Sequence, residues 1–85
     1  MGTYFYVNGD RYKGEWSEGV KSGKGVMDFY DERGQKKEKY EGDFINNYRT
    51  GTGKYWYSDG DYYFGEWYKN KRNGKGKLIN FEEGI

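Results

Sequence analysis

The amino-acid sequence predicts an all-β protein, an elongated single-layer antiparallel array of β-hairpins. Three observations carry this expectation. One pattern recurs three times: Tyr12-Lys13-Gly14-Glu15-Trp16 before Gly23-Lys24-Gly25, Tyr40-Glu41-Gly42-Asp43-Phe44 before Gly51-Thr52-Gly53, and Tyr63-Phe64-Gly65-Glu66-Trp67 before Gly74-Lys75-Gly76. Each tyrosine precedes the first glycine of its Gly-x-Gly by 11 residues, and such fixed internal spacing marks a repeat architecture. The pairs Asn8-Gly9 and Asp59-Gly60 are the strongest short hairpin signals a sequence offers. Finally, 15 glycines spread through 85 residues leave no helical period intact.

Taken in order, residues 2–12 align without gaps to residues 53–63, so the chain opens in the second half of a unit, with a strand at residues 3–7. First strands are expected at 12–17, 40–45 and 63–68, and second strands at 24–30, 54–58 and 77–81. Gly19, Asn47 and Asn70 mark the turn within each unit, since both residue types tolerate the positive φ of tight turns. Tyr12 and Tyr40 are 28 residues apart, against 23 for Tyr40 and Tyr63, which places an insertion within residues 31–39. That stretch is densely charged and lacks aromatics, and is expected to be a longer solvated connection. The whole, residues 1–85, reads as one domain of about three and a half repeats: a half-repeat at 2–11 and repeats starting at 12, 40 and 63. No obvious cap closes the last one, so the expectation is a part of a longer array.

Composition narrows the function classes. Alanine is absent while aromatics make up 22% of the chain, so any core must be built from rings. Disordered chains are poor in aromatics, which sets disorder aside despite the hydrophilic composition. The 15 basic and 14 acidic residues leave a net charge of +1, too balanced for a dedicated nucleic-acid binder. Cysteine and histidine are absent, and none of Ser17, Ser22 and Ser58 sits in a nucleophile motif, so neither an enzyme, a metal site nor a cofactor is expected. With no secretory or membrane-spanning run, the expected location is cytoplasmic, with cytoskeletal or membrane association as its refinement.

Alternation along a strand puts Tyr12, Gly14 and Trp16 on one face, with Tyr40, Gly42, Phe44 and Tyr63, Gly65, Trp67 after them. The result is a ladder of rings, with each glycine leaving a gap that a neighbouring ring can cover. These rings are either simply the core or a partner-binding groove of Tyr12, Trp16, Tyr40, Phe44, Tyr63 and Trp67. Glu15, Asp43 and Glu66 form a second ladder. Catalysis needs carboxylates in unlike environments; a periodic ladder supplies like ones, so these acids are expected to bond backbone or tyrosine hydroxyls. The Gly-x-Gly pairs lack the third glycine and following helix of a phosphate loop. They are read as places of close backbone approach. Lys69, Lys71, Arg72, Lys75 and Lys77 crowd the last hairpin, and Arg33, Lys36, Lys37 and Lys39 the insertion. They are candidate contacts to anionic phospholipid. A choline-binding solenoid would need a ring at a fixed second-strand site, where this chain has Phe5, Asp28, Trp56 and Ile79.

The three Tyr-x-Gly-acid-aromatic segments with their Gly-x-Gly pairs resemble the MORN repeat family, and the flanking half-repeats extend the resemblance over nearly the whole chain. The insertion after Tyr30 and the non-glycine turns at Asn47 and Asn70 depart from the family pattern. The resemblance implies a single-layer, solenoid-like half-pipe and a non-catalytic scaffold. Family members occur in cytoskeletal, ciliary and membrane-contact proteins, and beside lipid kinases and a lysine methyltransferase. Some bind a partner's helix along the groove; others associate with phosphoinositides or with themselves. The expected partner is therefore a protein or peptide, with anionic phospholipid as the alternative. A homodimer through uncapped sheet edges is a further expectation.

Overall fold

A computed structural model describes residues 2–80. Seven strands follow one another: β1 (Gly2–Phe5), β2 (Arg11–Ser17), β3 (Val20–Tyr30), β4 (Lys36–Ile45), β5 (Tyr48–Trp56), β6 (Tyr62–Tyr68) and β7 (Lys71–Ile79). They form one open antiparallel sheet whose spatial order is the chain order, β1 to β7. No helix occurs among the described residues, and the extents of 46 × 34 × 18 Å are those of an elongated layer. β2, β4 and β6 carry the Tyr-x-Gly-acid-aromatic segments; the strands between them carry the Gly-x-Gly pairs.

The second strands begin earlier than expected, at Val20, Tyr48 and Lys71, and pass through the first glycine of each Gly-x-Gly. The physical reason is a bulge. The β2–β3 register steps from Gly14↔Gly25 to Trp16↔Lys21, and the equivalent shift recurs in β4–β5 and β6–β7. Gly23 takes up the distortion at φ 105°, a left-handed conformation that L side chains rarely adopt. The carboxylate ladder closes the bulge: Glu15 accepts the Lys24 N–H at 2.8 Å, Asp43 the Thr52 N–H at 3.0 Å and Glu66 the Lys75 N–H at 3.1 Å. The acids thus recur because each unit has one backbone donor to satisfy.

The insertion also differs from expectation. Only residues 31–35 form a connection, and the added length is spliced into the paired strands β3 and β4. Asp31 organises that turn by accepting the N–H groups of Arg33 and Gln35, both at 2.9 Å. Lys36 and Lys37 are exposed at the start of β4, and an antiparallel strand accepts charged residues where it meets water, so the charge density of this stretch did not forbid a strand. Residues 6, 7, 57 and 58, expected in strands, lie in the connections between strands, and residue 80, expected in the last strand, follows β7. Position 81 of the last expected strand lies outside the described residues.

The core is a chain of rings. Trp16, Tyr12, Phe44, Tyr40, Trp67 and Tyr63 follow one another with centroids 5.1, 5.0, 5.1, 5.4 and 5.4 Å apart, every pair edge-on. Edge-to-face packing suits the ring quadrupole and adds about 0.5–1.5 kcal/mol per pair to area burial. Tyr12 and Tyr40 are fully buried, at 0% exposure. The repeat tyrosines Tyr12, Tyr40 and Tyr63 also donate their hydroxyls to the carbonyl three residues on, at Glu15, Asp43 and Glu66 (2.9, 2.8 and 3.1 Å). The ring then lies across the second glycine of its own hairpin's Gly-x-Gly, so a Cβ on Gly25 would overlap the Tyr12 ring. The glycine that a ring covers is therefore chiefly this one, rather than the glycine between the two aromatics. At Gly14 the limit is backbone, because a Cβ there would stand 2.5 Å from the Cα of Gly25.

Candidate functional site

The sheet has two unlike faces. On the ring face the structure brings all six expected groove residues, Tyr12, Trp16, Tyr40, Phe44, Tyr63 and Trp67, into one array. Five of them are buried and Trp16 is half-buried. Tyr6, Met27, Phe29 and Tyr57, half-buried against that core, carry the array's border outward to solvent.

A row of cations runs over the same rings. Lys21, Arg49 and Arg72 sit at equivalent register positions, opposite Trp16, Phe44 and Trp67. The Lys21 ammonium lies 5.6 Å from the Tyr12 ring and 5.9 Å from that of Phe44, and accepts company from Tyr6, whose hydroxyl oxygen takes its N–H at 2.7 Å. The Arg49 guanidinium faces Tyr55, Trp67, Tyr40 and Phe29 at 5.2, 5.1, 5.8 and 5.9 Å. Arg72 lies 5.2 Å from Tyr63. Each cation is thus held by the negative faces of the rings while keeping N–H groups for other acceptors. Two shallow cavities flank the row. One, of about 170 Å³, is lined by Lys21, Met27, Phe29, Phe44, Asn47, Arg49 and Asn70. The other, of about 330 Å³, lies between Arg49, Tyr55, Tyr57, Trp67 and Arg72.

The hairpins are also joined by clasps. Asn47 accepts the Lys21 N–H on its side-chain oxygen at 2.8 Å and returns its own N–H to the Lys21 carbonyl at 3.0 Å. Asn70 does the same to Arg49, at 2.9 and 3.0 Å. The turn position that is asparagine in the second and third units is Gly19 in the first. Both asparagines adopt positive φ, 74° and 72°, which this residue type tolerates better than most.

The opposite face is basic and partly apolar. The register Lys13↔Val26↔Glu41↔Lys54↔Phe64↔Lys77 crosses the sheet from β2 to β7. Lys39 and Lys54 stack on Trp56 at 5.0 and 4.8 Å, and Lys54 also on Tyr62 at 4.1 Å. A broad open depression of about 930 Å³ lies here, with Lys13, Lys24, Lys54, Val26, Trp56 and Phe64 around it. Lys24 pairs with Asp43 at 2.5 Å. Burial works against ionisation of Asp43, but the Lys24 ammonium and the Thr52 N–H outweigh it and hold the carboxyl below its ordinary pKa of 3.8.

The five basic residues expected to meet lipid are divided between these faces. Arg72 belongs to the ring face, whereas Lys71 and Lys77 oppose Tyr68 and Phe64 on the other; Lys75 lies in the bulge and Lys69 in the turn. In the insertion, Lys36 pairs with Asp28 at 3.2 Å. Among the described residues no cluster of histidine, cysteine, aspartate or glutamate could hold a metal ion.

Burial raises the Tyr12 hydroxyl to about 12 from its ordinary 10, with the Glu15 charge adding to it. Tyr40 and Tyr55 move the same way for the same first reason, and Tyr55 also donates to Glu38 at 2.5 Å. These hydroxyls are neutral hydrogen-bond donors at any physiological pH. Sequence reasoning missed the cation row and the asparagine clasps. The row had a signal: a basic residue stands nine positions after each repeat tyrosine, at Lys21, Arg49 and Arg72.

The MORN repeat description matches residues 12–32, 40–62 and 63–79. The chain is also 36% identical over 80 residues to MORN repeat-containing protein 3 of Xenopus laevis, a match that covers 87% of this chain and 32% of that protein. The chain therefore spans about a third of the length of the curated relative it matches. Repeats of this kind are generally non-catalytic interaction repeats. Seven antiparallel strands in chain order, three closed bulges and three matched repeats make the chain a member of the MORN repeat family.

Proposed function

We propose that this chain is a non-catalytic interaction module that binds a partner peptide or helix along its ring face. The observation that carries the reading is the cation row over the ring array, with a cavity at each step between units. The half-buried border of Tyr6, Met27, Phe29 and Tyr57 supplies apolar anchoring area, and Lys21, Arg49 and Arg72 supply donors beside it; aromatic residues, Met and Arg are the types that interfaces concentrate. A partner seated here carries apolar side chains for the cavities and carboxylates for the row. The test is a titration of isotope-labelled chain with a short amphipathic helix, leucines along one stripe and glutamates beside it. The expected result is saturable shifts at Lys21, Phe29, Arg49 and Tyr57, with Arg49→Gln weakening binding by about tenfold. Shifts confined to the opposite face, or none, contradict the reading.

A second reading is association with an anionic membrane through the opposite face. What favours it is the row of lysines around exposed Phe64 and half-buried Trp56, aromatic and basic groups side by side as at a headgroup boundary. Sedimentation with vesicles decides it: binding must require an acidic lipid and fall with Lys13→Gln and Lys54→Gln. Indifference to lipid charge removes this reading.

A further inference from the structure

We infer that the ring face reads the spacing of its partner's acids: one carboxylate per repeat unit, carried at every seventh residue along one flank of an α-helix that crosses the strands. The inference rests on the peptide-binding reading above and adds the period by which a partner is recognised.

The cation row is periodic because the sheet is. Lys21, Arg49 and Arg72 lie on β3, β5 and β7, each opposite the aromatic residue that closes its own hairpin's segment. Consecutive cations are therefore two strand separations apart, about 9.6 Å. The insertion leaves that step unchanged. β3 takes β4 with Gly25↔Gly42 and Met27↔Tyr40, in the register by which β5 takes β6 with Gly53↔Gly65 and Tyr55↔Tyr63.

Each cation also has a ring of the preceding unit beside it. Lys21 lies 5.2 Å from Tyr6 and Arg49 lies 5.9 Å from Phe29, while Arg72 and Tyr57 line one cavity. Every unit thus offers a charge, a half-buried ring and a hollow in the same arrangement. The row's charge is not spent within the chain: among the described residues the salt bridges join Lys24 to Asp43 and Lys36 to Asp28, and none engages the row. Lys21 gives one N–H to Tyr6 and Arg49 gives one to the Asn70 carbonyl at 2.9 Å, which leaves both with further donors.

An α-helix matches this step. Seven residues make almost two whole turns, return to the same flank and advance about 10.5 Å. A crossing about 25° from the perpendicular to the strands projects that advance onto about 9.6 Å. The same two turns bring fresh apolar side chains to the ring and hollow of each unit. An extended strand fails the match. Three residues cover about 9.9 Å, but an odd step reverses the face, so its acids meet only every second cation. A polyproline helix keeps the period, at about 9.3 Å per turn, yet its backbone carbonyls have no internal partner over a floor of rings. The α-helix pairs its own backbone and brings only side chains to that floor.

The test compares two helical peptides of about 28 residues and identical composition, with leucines along one stripe and three glutamates on the neighbouring flank. In the first the glutamates are seven residues apart. In the second they are eleven apart, three turns, which keeps the flank but stretches the step to about 16.5 Å. Both are titrated against the full chain by anisotropy and by amide shifts. The expected result is binding of the first about tenfold tighter than the second, a margin that shrinks at high salt. Changing the middle glutamate of the first peptide to glutamine should weaken binding to the unaltered chain by about threefold. Arg49→Gln should cost the parent peptide about as much, and the glutamine peptide nothing. Equal affinity of the two peptides at the ring face overturns the spacing and leaves the peptide-binding reading standing. A ring face silent to both removes that reading, and the inference with it. Tighter binding by a proline-rich peptide with an acid at every third residue overturns the helix.

Discussion

Replacing Gly53 by alanine is the substitution whose sign separates this account from a generic one. In an ordinary strand, glycine is worse than alanine by roughly 0.5–1 kcal/mol, so Gly→Ala should stabilise. Here the new methyl would enter the ring of Tyr40. That ring cannot swing aside cheaply. Phe44 stands edge-on at 5.1 Å, Trp67 at 5.4 Å, and the hydroxyl is tied to the Asp43 carbonyl at 2.8 Å. Overpacking a fitted core costs roughly 1–3 kcal/mol. Losing the tyrosine hydrogen bond adds about 1 kcal/mol. Set against the entropic gain, the net is a loss of about 2 kcal/mol. Urea unfolding followed by tryptophan fluorescence would measure it. A Gly53→Ala chain as stable as the parent, or more so, would refute the reasoning, because it would mean the ring does not lie where the structure puts it.

Three further outcomes follow from the same geometry. Asn70→Gly keeps the turn's positive φ but removes the acceptor of the Arg49 N–H, so amide exchange at Arg49 should quicken by about fivefold while that of Lys21 is unchanged. At alkaline pH, the raised hydroxyl of Tyr12 means the folded form holds its proton more tightly than the unfolded form. Stability from this source is complete below pH 10 and is lost as pH rises through about 12, which tyrosinate absorbance and urea midpoints should report together. In acid, the lowered Asp43 carboxyl contributes stability that is present above pH 3.8 and disappears as pH falls through its folded value; Lys24→Gln should remove much of that acid dependence.

Much of this architecture could be read from residue types and spacing. The Tyr-x-Gly-acid-aromatic segments sit on strands with their rings on one face because a two-residue period admits no other arrangement. What could not be read were features set by pairing between units. Gly23, Gly51 and Gly74 looked like the ends of connections, yet a bulge carries the strand through them, and only the partner carboxylate reveals it. Asn47 and Asn70 satisfied the requirement of a turn, which hid their second task of gripping the preceding hairpin. The insertion misled because charge usually marks a loop, while here Glu38 accepts the Tyr55 hydroxyl and Lys39 stacks on Trp56 from within β4. At the candidate site, the ring positions were legible; their burial and the overlying cations depend on neighbouring hairpins meeting.

The central claim is that rings contributed by successive hairpins couple the units into one sheet. A double-mutant cycle on Tyr12 and Phe44, each changed to leucine singly and together, measures that coupling across the first hairpin boundary, where the centroids lie 5.0 Å apart. The account predicts an interaction energy of about 0.5–1.5 kcal/mol. Strictly additive losses would contradict it, leaving backbone pairing alone to hold the hairpins together.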